Sequence, residues 1–150
     1  MIITWLTFLI FSGFTFMAYD DYRRQSVDNK VTAILWILVG LALFMQQDIN
    51  SFAVLILSFG FIYLINELFY SRFKNALVAW GDVLLVPLFL AFVYMQGIVL
   101  VFGIILGITL VISTPLYAIK YGKEVAKVKV PLITYLFLPL ILAIIYSLIA

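Results

Sequence analysis

Apolar runs alternate with short polar breaks along the whole chain, and most of the runs approach the length needed to cross a hydrocarbon core. The first runs from Ile2 to about Tyr19 and ends in the polar stretch Asp20 to Lys30. A second covers Val31 to about Met45 and is closed by Gln46, Gln47 and Asp48. A third spans Phe52 to about Phe69, with Glu67 near its end and Ser71, Arg72, Lys74 and Asn75 after it. The fourth begins between Leu77 and Val83 and stops at Gln96–Gly97; a fifth runs from Ile98 to about Ile119. After Lys120 to Lys129, the sixth runs from Pro131 to the C-terminus. A backbone in lipid must satisfy its own hydrogen bonds, so such spans are helices or barrel strands. The runs are too long for barrel strands and lack period-2 alternation. The pattern predicts an all-α polytopic membrane protein with six transmembrane helices, forming one membrane-embedded domain over residues 1–150.

Composition agrees with that reading. Hydrophobic residues make up 67% of the 150 positions and charged residues 11%, where a water-soluble domain carries about 25% charged residues. The mean hydropathy is +1.24. Such a chain has too few polar side chains to cover its own surface in water, and the lipid bilayer is its expected partner. A net charge of +2 gives no reason to expect nucleic acid.

The cations set the orientation. All nine Lys and Arg fall in the first, third and fifth breaks: Arg23, Arg24, Lys30; Arg72, Lys74; Lys120, Lys123, Lys127, Lys129. Under the positive-inside rule these loops are cytoplasmic and both termini lie outside a plasma membrane. No basic segment precedes the first apolar run, so it is expected to remain as an anchor. Gly103-x-x-x-Gly107 predicts a close helix-packing site, and Ser113-Thr114-Pro115 a kink in the fifth span.

Candidate chemistry is narrowed by what the chain lacks. There is no cysteine and no histidine, which removes disulfides, thiol nucleophiles, thiolate zinc sites and imidazole bases. Among the acids, Asp48 and Glu124 read as solvated loop residues, Asp28 as solvated or as a helix N-cap, and Glu67 as a buried or interfacial polar partner. Asp20 and Asp21 close the first span, and Asp82 sits within Trp80-Gly81-Asp82-Val83-Leu84-Leu85. Ionisable groups at membrane depth are costly and face the bundle interior. Taken singly, Asp21 beside Arg23 and Arg24 reads as a solvated acid, and Asp82 as a partner of Arg72 or Lys74 or as part of a cation pathway.

Taken together, these residues resemble a known family. Asp21-Tyr22-Arg23-Arg24-Gln25-Ser26-Val27-Asp28-Asn29 is similar to the D-x-[RK]-x-x-x-[IV]-P-N signature after the first helix of type IV prepilin and preflagellin peptidases. Asp21, Arg23, Val27 and Asn29 match it, and Asp28 stands at the proline position. Ala79-Trp80-Gly81-Asp82-Val83 resembles the G-x-G-D-[VI] motif of the fourth helix, with Ala79 in place of its first glycine. Lys129-Val130-Pro131 resembles the entry to the family's final helix. The long cysteine-rich insertion of bifunctional prepilin peptidases is missing, so the chain looks most like preflagellin peptidases and the small Tad- or Flp-pilus peptidases.

The resemblance implies a membrane aspartic endopeptidase of the GxGD type, with Asp21 and Asp82 catalytic and Gly81 admitting the substrate backbone. It implies a precursor with a short basic leader followed by an apolar helix, pilin- or archaellin-like, cleaved at the cytoplasmic face. No cofactor and no metal is expected. Neighbouring helix residues point about 100° apart, so only one of Asp20 and Asp21 can face a partner aspartate; the spacing to Val27 and Asn29 favours Asp21. Two readings from other classes stay open: a small ion or solute transporter, with Asp82 and Glu67 in its pathway, and a non-catalytic membrane assembly subunit.

Overall fold

The computed structural model describes residues 2–24, 28–74, 80–121 and 132–149. They form six helices and, among the described residues, no strand: α1 (Ile2–Arg24), α2 (Asn29–Gln46), α3 (Ile49–Phe73), α4 (Trp80–Met95), α5 (Val99–Tyr121) and α6 (Leu132–Ile149). Four helices are long and apolar enough to cross a membrane, over Ile2–Arg24, Asn29–Gln46, Ile49–Arg72 and Val99–Leu116. The apolar segments Trp80–Met95 and Tyr135–Ile149 are shorter.

Helix ends account for two acids that the sequence left as solvated or ambiguous. Asp28 is the N-cap of α2, accepting from the backbone amides of Lys30 (2.8 Å) and Val31 (3.3 Å). Asp48 caps α3, accepting from the Ser51 amide at 3.0 Å and from the Ser51 hydroxyl. Each supplies an acceptor to amides that lack one in the first turn of a helix. The Ser51 hydroxyl, ahead of the backbone amides, holds the Asp48 carboxyl below its ordinary value of 3.8. The α2–α3 connection closes tightly because Gln47 adopts the left-handed conformation (φ 52°) and its amide returns to Leu43 and Phe44. Glu67, expected as a buried or interfacial partner, is exposed on α3.

Helix α4 is the centre of the bundle. It packs against α2, α3, α5 and α6, most extensively against α3, while α1 packs against α2 and α6. Hence Val83, Leu85, Leu88, Phe89, Ala91, Phe92 and Val93 are all buried, on every side of the helix. Among the described residues no Cα of α1 comes within 8 Å of one in α4. Aromatic rings fill that gap: Phe14 of α1 meets Phe89 edge-on at 4.8 Å and Phe92 at 5.6 Å. The α1–α2 contact is closer, because Gly13 leaves room for Leu35, whose Cδ2 would stand 2.6 Å from a Cβ at that position.

Two expectations about α5 meet the structure differently. Gly103 and Gly107 are exposed with no neighbouring atom within 4 Å of where a Cβ would stand, so among the described residues no other helix packs on the G-x-x-x-G motif. The reason is topological: α5 leans on α6 and slightly on α4, and the two glycines lie off that contact. Helix α5 continues through Pro115 to Tyr121. Thr114 and Ser113 donate back to the Leu110 carbonyl at 2.7 and 3.4 Å beside the proline.

Candidate functional site

Aspartates 20 and 21 do not lie in a loop. Helix α1 runs on through Arg24, so both carboxylates sit in its last two turns, where they are buried: Asp20 is 8% exposed and Asp21 6%. Their roles divide as their 100° offset requires. Asp20 is held by Arg24 one turn later, with Nε 3.1 Å from Oδ1. Asp21 lies close enough to Asp82 for its negative charge to act on it.

The ring contact between Phe14 and Phe89 explains that convergence. Asp21 follows Phe14 by seven residues, and Asp82 precedes Phe89 by seven. Seven residues is two turns of α-helix, about 10.5 Å, and returns to the same face within about 20°. In two antiparallel helices joined at Phe14 and Phe89, the two aspartates therefore come to the same level, each on the face of its helix that carries the joining ring. Below them Met17, Leu85, Phe89 and Phe92 are buried, so the acids close one end of an apolar interior. Like charges in such a low-dielectric surrounding interact far more strongly than in water.

The remaining motif residues take other positions. Gly81 is the second residue of α4, half-buried directly before the half-buried Asp82. Arg23 is exposed and donates to the Tyr19 hydroxyl at 3.2 Å. Asn29 is exposed as the first residue of α2. Val27, Ala79 and Lys129-Val130-Pro131 lie outside the described residues. The structure thus sets Asp21 and Asp82 at one level of the bundle, with Gly81 beside Asp82 in the chain, and leaves Arg23 and Asn29 exposed.

Reading the sequence missed the two phenylalanines that set the register. The signal was present as the equal seven-residue spacing to each aspartate, but it has meaning only once α1 and α4 are known to face each other. It also missed Thr32 and Asn66, buried polar residues of α2 and α3; Thr32 donates to the Asp28 carbonyl at 2.9 Å. Among the described residues no group of three or more Asp or Glu converges in a way that could hold a metal ion.

Two grooves open at the opposite end of the bundle. One, of about 560 Å³, is lined by Thr4, Thr7, Phe11, Gln46, Gln96 and Ser147 among others. The other, of about 540 Å³, lies at the α2–α3 turn around Phe44, Asp48 and Phe52. Neither includes the acid pair. No family model, no characterised protein and no solved structure matches this chain.

Proposed function

We propose that this chain is a membrane aspartic endopeptidase that removes a short basic leader from pilin- or archaellin-like precursors, with Asp21 and Asp82 as its catalytic pair. In this reading all six helices cross the plasma membrane, the cation-bearing end is cytoplasmic and both termini lie outside. The observation that carries the proposal is the Phe14–Phe89 contact, from which the equal seven-residue spacings bring the two aspartates to one level. They come from separate helices, at one level by the spacing to Phe14 and Phe89, at the end of the bundle where every cation of the described residues lies. A non-catalytic assembly subunit would have no use for setting a buried and a half-buried carboxylate at one level of an apolar bundle, which is costly.

The chemistry needs one carboxylate and one carboxylic acid. The ionised member takes a proton from water as the water oxygen attacks the scissile amide carbon. The protonated member donates to the carbonyl oxygen. Collapse of the tetrahedral intermediate breaks the C–N bond, and a proton passes to the leaving amine, yielding a carboxylic acid and an amine. Gly81 presents no side chain beside Asp82, so an extended substrate backbone has room to approach. The precursor's apolar helix supplies most of the affinity by packing among the bundle helices, since a basic leader is repelled by basic loops.

The test is cleavage of a co-expressed precursor. Asp21→Asn and Asp82→Asn keep side-chain shape and remove ionisation; each is expected to abolish cleavage in protein that is still folded and membrane-inserted. Substantial turnover by Asp82→Asn ends the aspartic-protease reading. Turnover by Asp21→Asn with loss in Asp20→Asn moves the role one residue back. Replacing the precursor's apolar segment by a polar one is expected to prevent cleavage.

A further inference from the structure

Charge at the two ends of the bundle is unequal in a way that the acid pair does not use. At the end bearing Asp21 and Asp82, six cations of the described residues are exposed: Arg23, Arg24, Lys30, Arg72, Lys74 and Lys120. The exposed anions there are Glu67 and Asp28, and the Asp28 carboxylate is already engaged by the backbone amides of α2. Asp20 and Asp21 are buried, and Asp20 engages Arg24 at 3.1 Å, which leaves the other five cations in excess. At the other end Asp48 is the one charged side chain among the described residues.

The cations do not converge on a pocket. They are spread over the ends of four helices, α1, α2, α3 and α5. Exposed Tyr22, Tyr70 and Trp80 stand at the same end, and such amphipathic rings settle at the level of lipid headgroups. Exposed positive charge spread over four helix ends of an apolar bundle, beside exposed aromatic rings, matches a negatively charged bilayer surface rather than a compact ligand.

We propose that this rim is a binding surface for anionic phospholipid headgroups, which form a selected annulus around the cation-bearing end. The lipid phosphate and its anionic headgroup meet Arg72 and Lys74 at the end of α3 and the cations of the flanking helices. Acyl chains lie along the exposed apolar faces of α3 and α5. The surface exists whether or not the acid pair hydrolyses peptides, and its test does not read activity.

Two exposed tryptophans at opposite ends make the measurement direct. Trp80 is 55% exposed at the cation-bearing end and Trp5 64% exposed at the other. Two full-length single-tryptophan proteins are needed, one with Trp5→Phe and Trp36→Phe, the other with Trp36→Phe and Trp80→Phe. Each is placed in phosphatidylcholine vesicles, and quenching by brominated phosphatidylglycerol is compared with quenching by brominated phosphatidylcholine. At Trp80 the anionic lipid is expected to be preferred by about fivefold at low salt, the effect of one nearby cation on an anionic surface. At Trp5 no preference is expected. Molar salt is expected to remove most of the Trp80 preference, and Arg72→Gln with Lys74→Gln to reduce it severalfold. Quenching of Trp5 by brominated phosphatidylcholine, unchanged in the substituted protein, reports that the bundle is intact. Equal quenching by the two lipids at Trp80, or an equal anionic preference at Trp5, overturns the proposal; so does a Trp80 preference indifferent to salt.

Discussion

Phe14→Ala tests the claim that the Phe14 ring, packed on Phe89 and Phe92, holds α1 against α4 and so sets the level of the two aspartates. Phe14 is fully buried between Phe89 and Phe92, and the backbones on either side stay more than 8 Å apart at their Cα atoms. In a water-soluble core a Phe→Ala change costs about 3–5 kcal/mol, part of it transfer from water. Between helices already in lipid that transfer part is missing, leaving packing and the cavity. Two aromatic contacts at about 0.5–1.5 kcal/mol each give about 1–3 kcal/mol. The assay is unfolding of the detergent-solubilised protein, run as a double-mutant cycle with Phe89→Ala. A coupling of about 0.5–1.5 kcal/mol between the two positions is expected. In the same variants cleavage should fall at least about tenfold, because a displacement of about 1 Å at a catalytic group can cost a hundredfold. Phe14→Leu, which refills most of the volume, should recover much of both. Additive Phe14 and Phe89 effects, with cleavage unaffected by Phe14→Ala, would refute the register argument.

Three further outcomes follow from particular contacts. Asp48 has its carboxyl depressed in the folded state by the Ser51 hydroxyl. Its capping contribution is therefore complete above the ordinary aspartate value of 3.8 and is lost as pH falls through the lower folded value; acid unfolding of Asp48→Asn should lack that component. At Gly13 a Cβ would stand 2.6 Å from Leu35 Cδ2, so Gly13→Leu should cost about 1–3 kcal/mol in the same unfolding assay, and Leu35→Ala in the same chain should restore part of it. Arg24→Gln removes the partner of Asp20, but the Arg24 side chain is 71% exposed. Solvent screening limits the loss to under about 1 kcal/mol, and cleavage should persist in Asp20→Asn; abolition of cleavage there, with Asp21→Asn active, would reassign the dyad.

Much of the architecture was readable from residue order alone. Apolar runs bounded by polar breaks located the helices, because a backbone in lipid has no alternative partner for its amides and carbonyls. The candidate pair was also legible, since acids at the edge of apolar spans are expensive and few. Helix ends shifted by a few residues for local reasons. Helix α1 carries through Asp20 and Asp21 to Arg24, where a change of polarity suggested an earlier stop. Asp28 and Asp48 turned out to be caps, which depends on backbone angles at single residues.

What only the tertiary structure decided is which faces meet. Gly103 and Gly107 carry the signature of close packing, yet they stand in open space because α5 leans on α6 along another face. Motif spacing pointed to Asp21 over Asp20; the rotation of α1 about its axis, fixed by Phe14 and Gly13 against their neighbours, gives Asp20 to Arg24 and keeps Asp21 on the Phe14 face. The seven-residue spacings of Phe14 to Asp21 and Asp82 to Phe89 are written in the sequence. Local order sets where each side chain lies along its own helix. Which helix faces which is a long-range property, settled by the packing of the whole bundle.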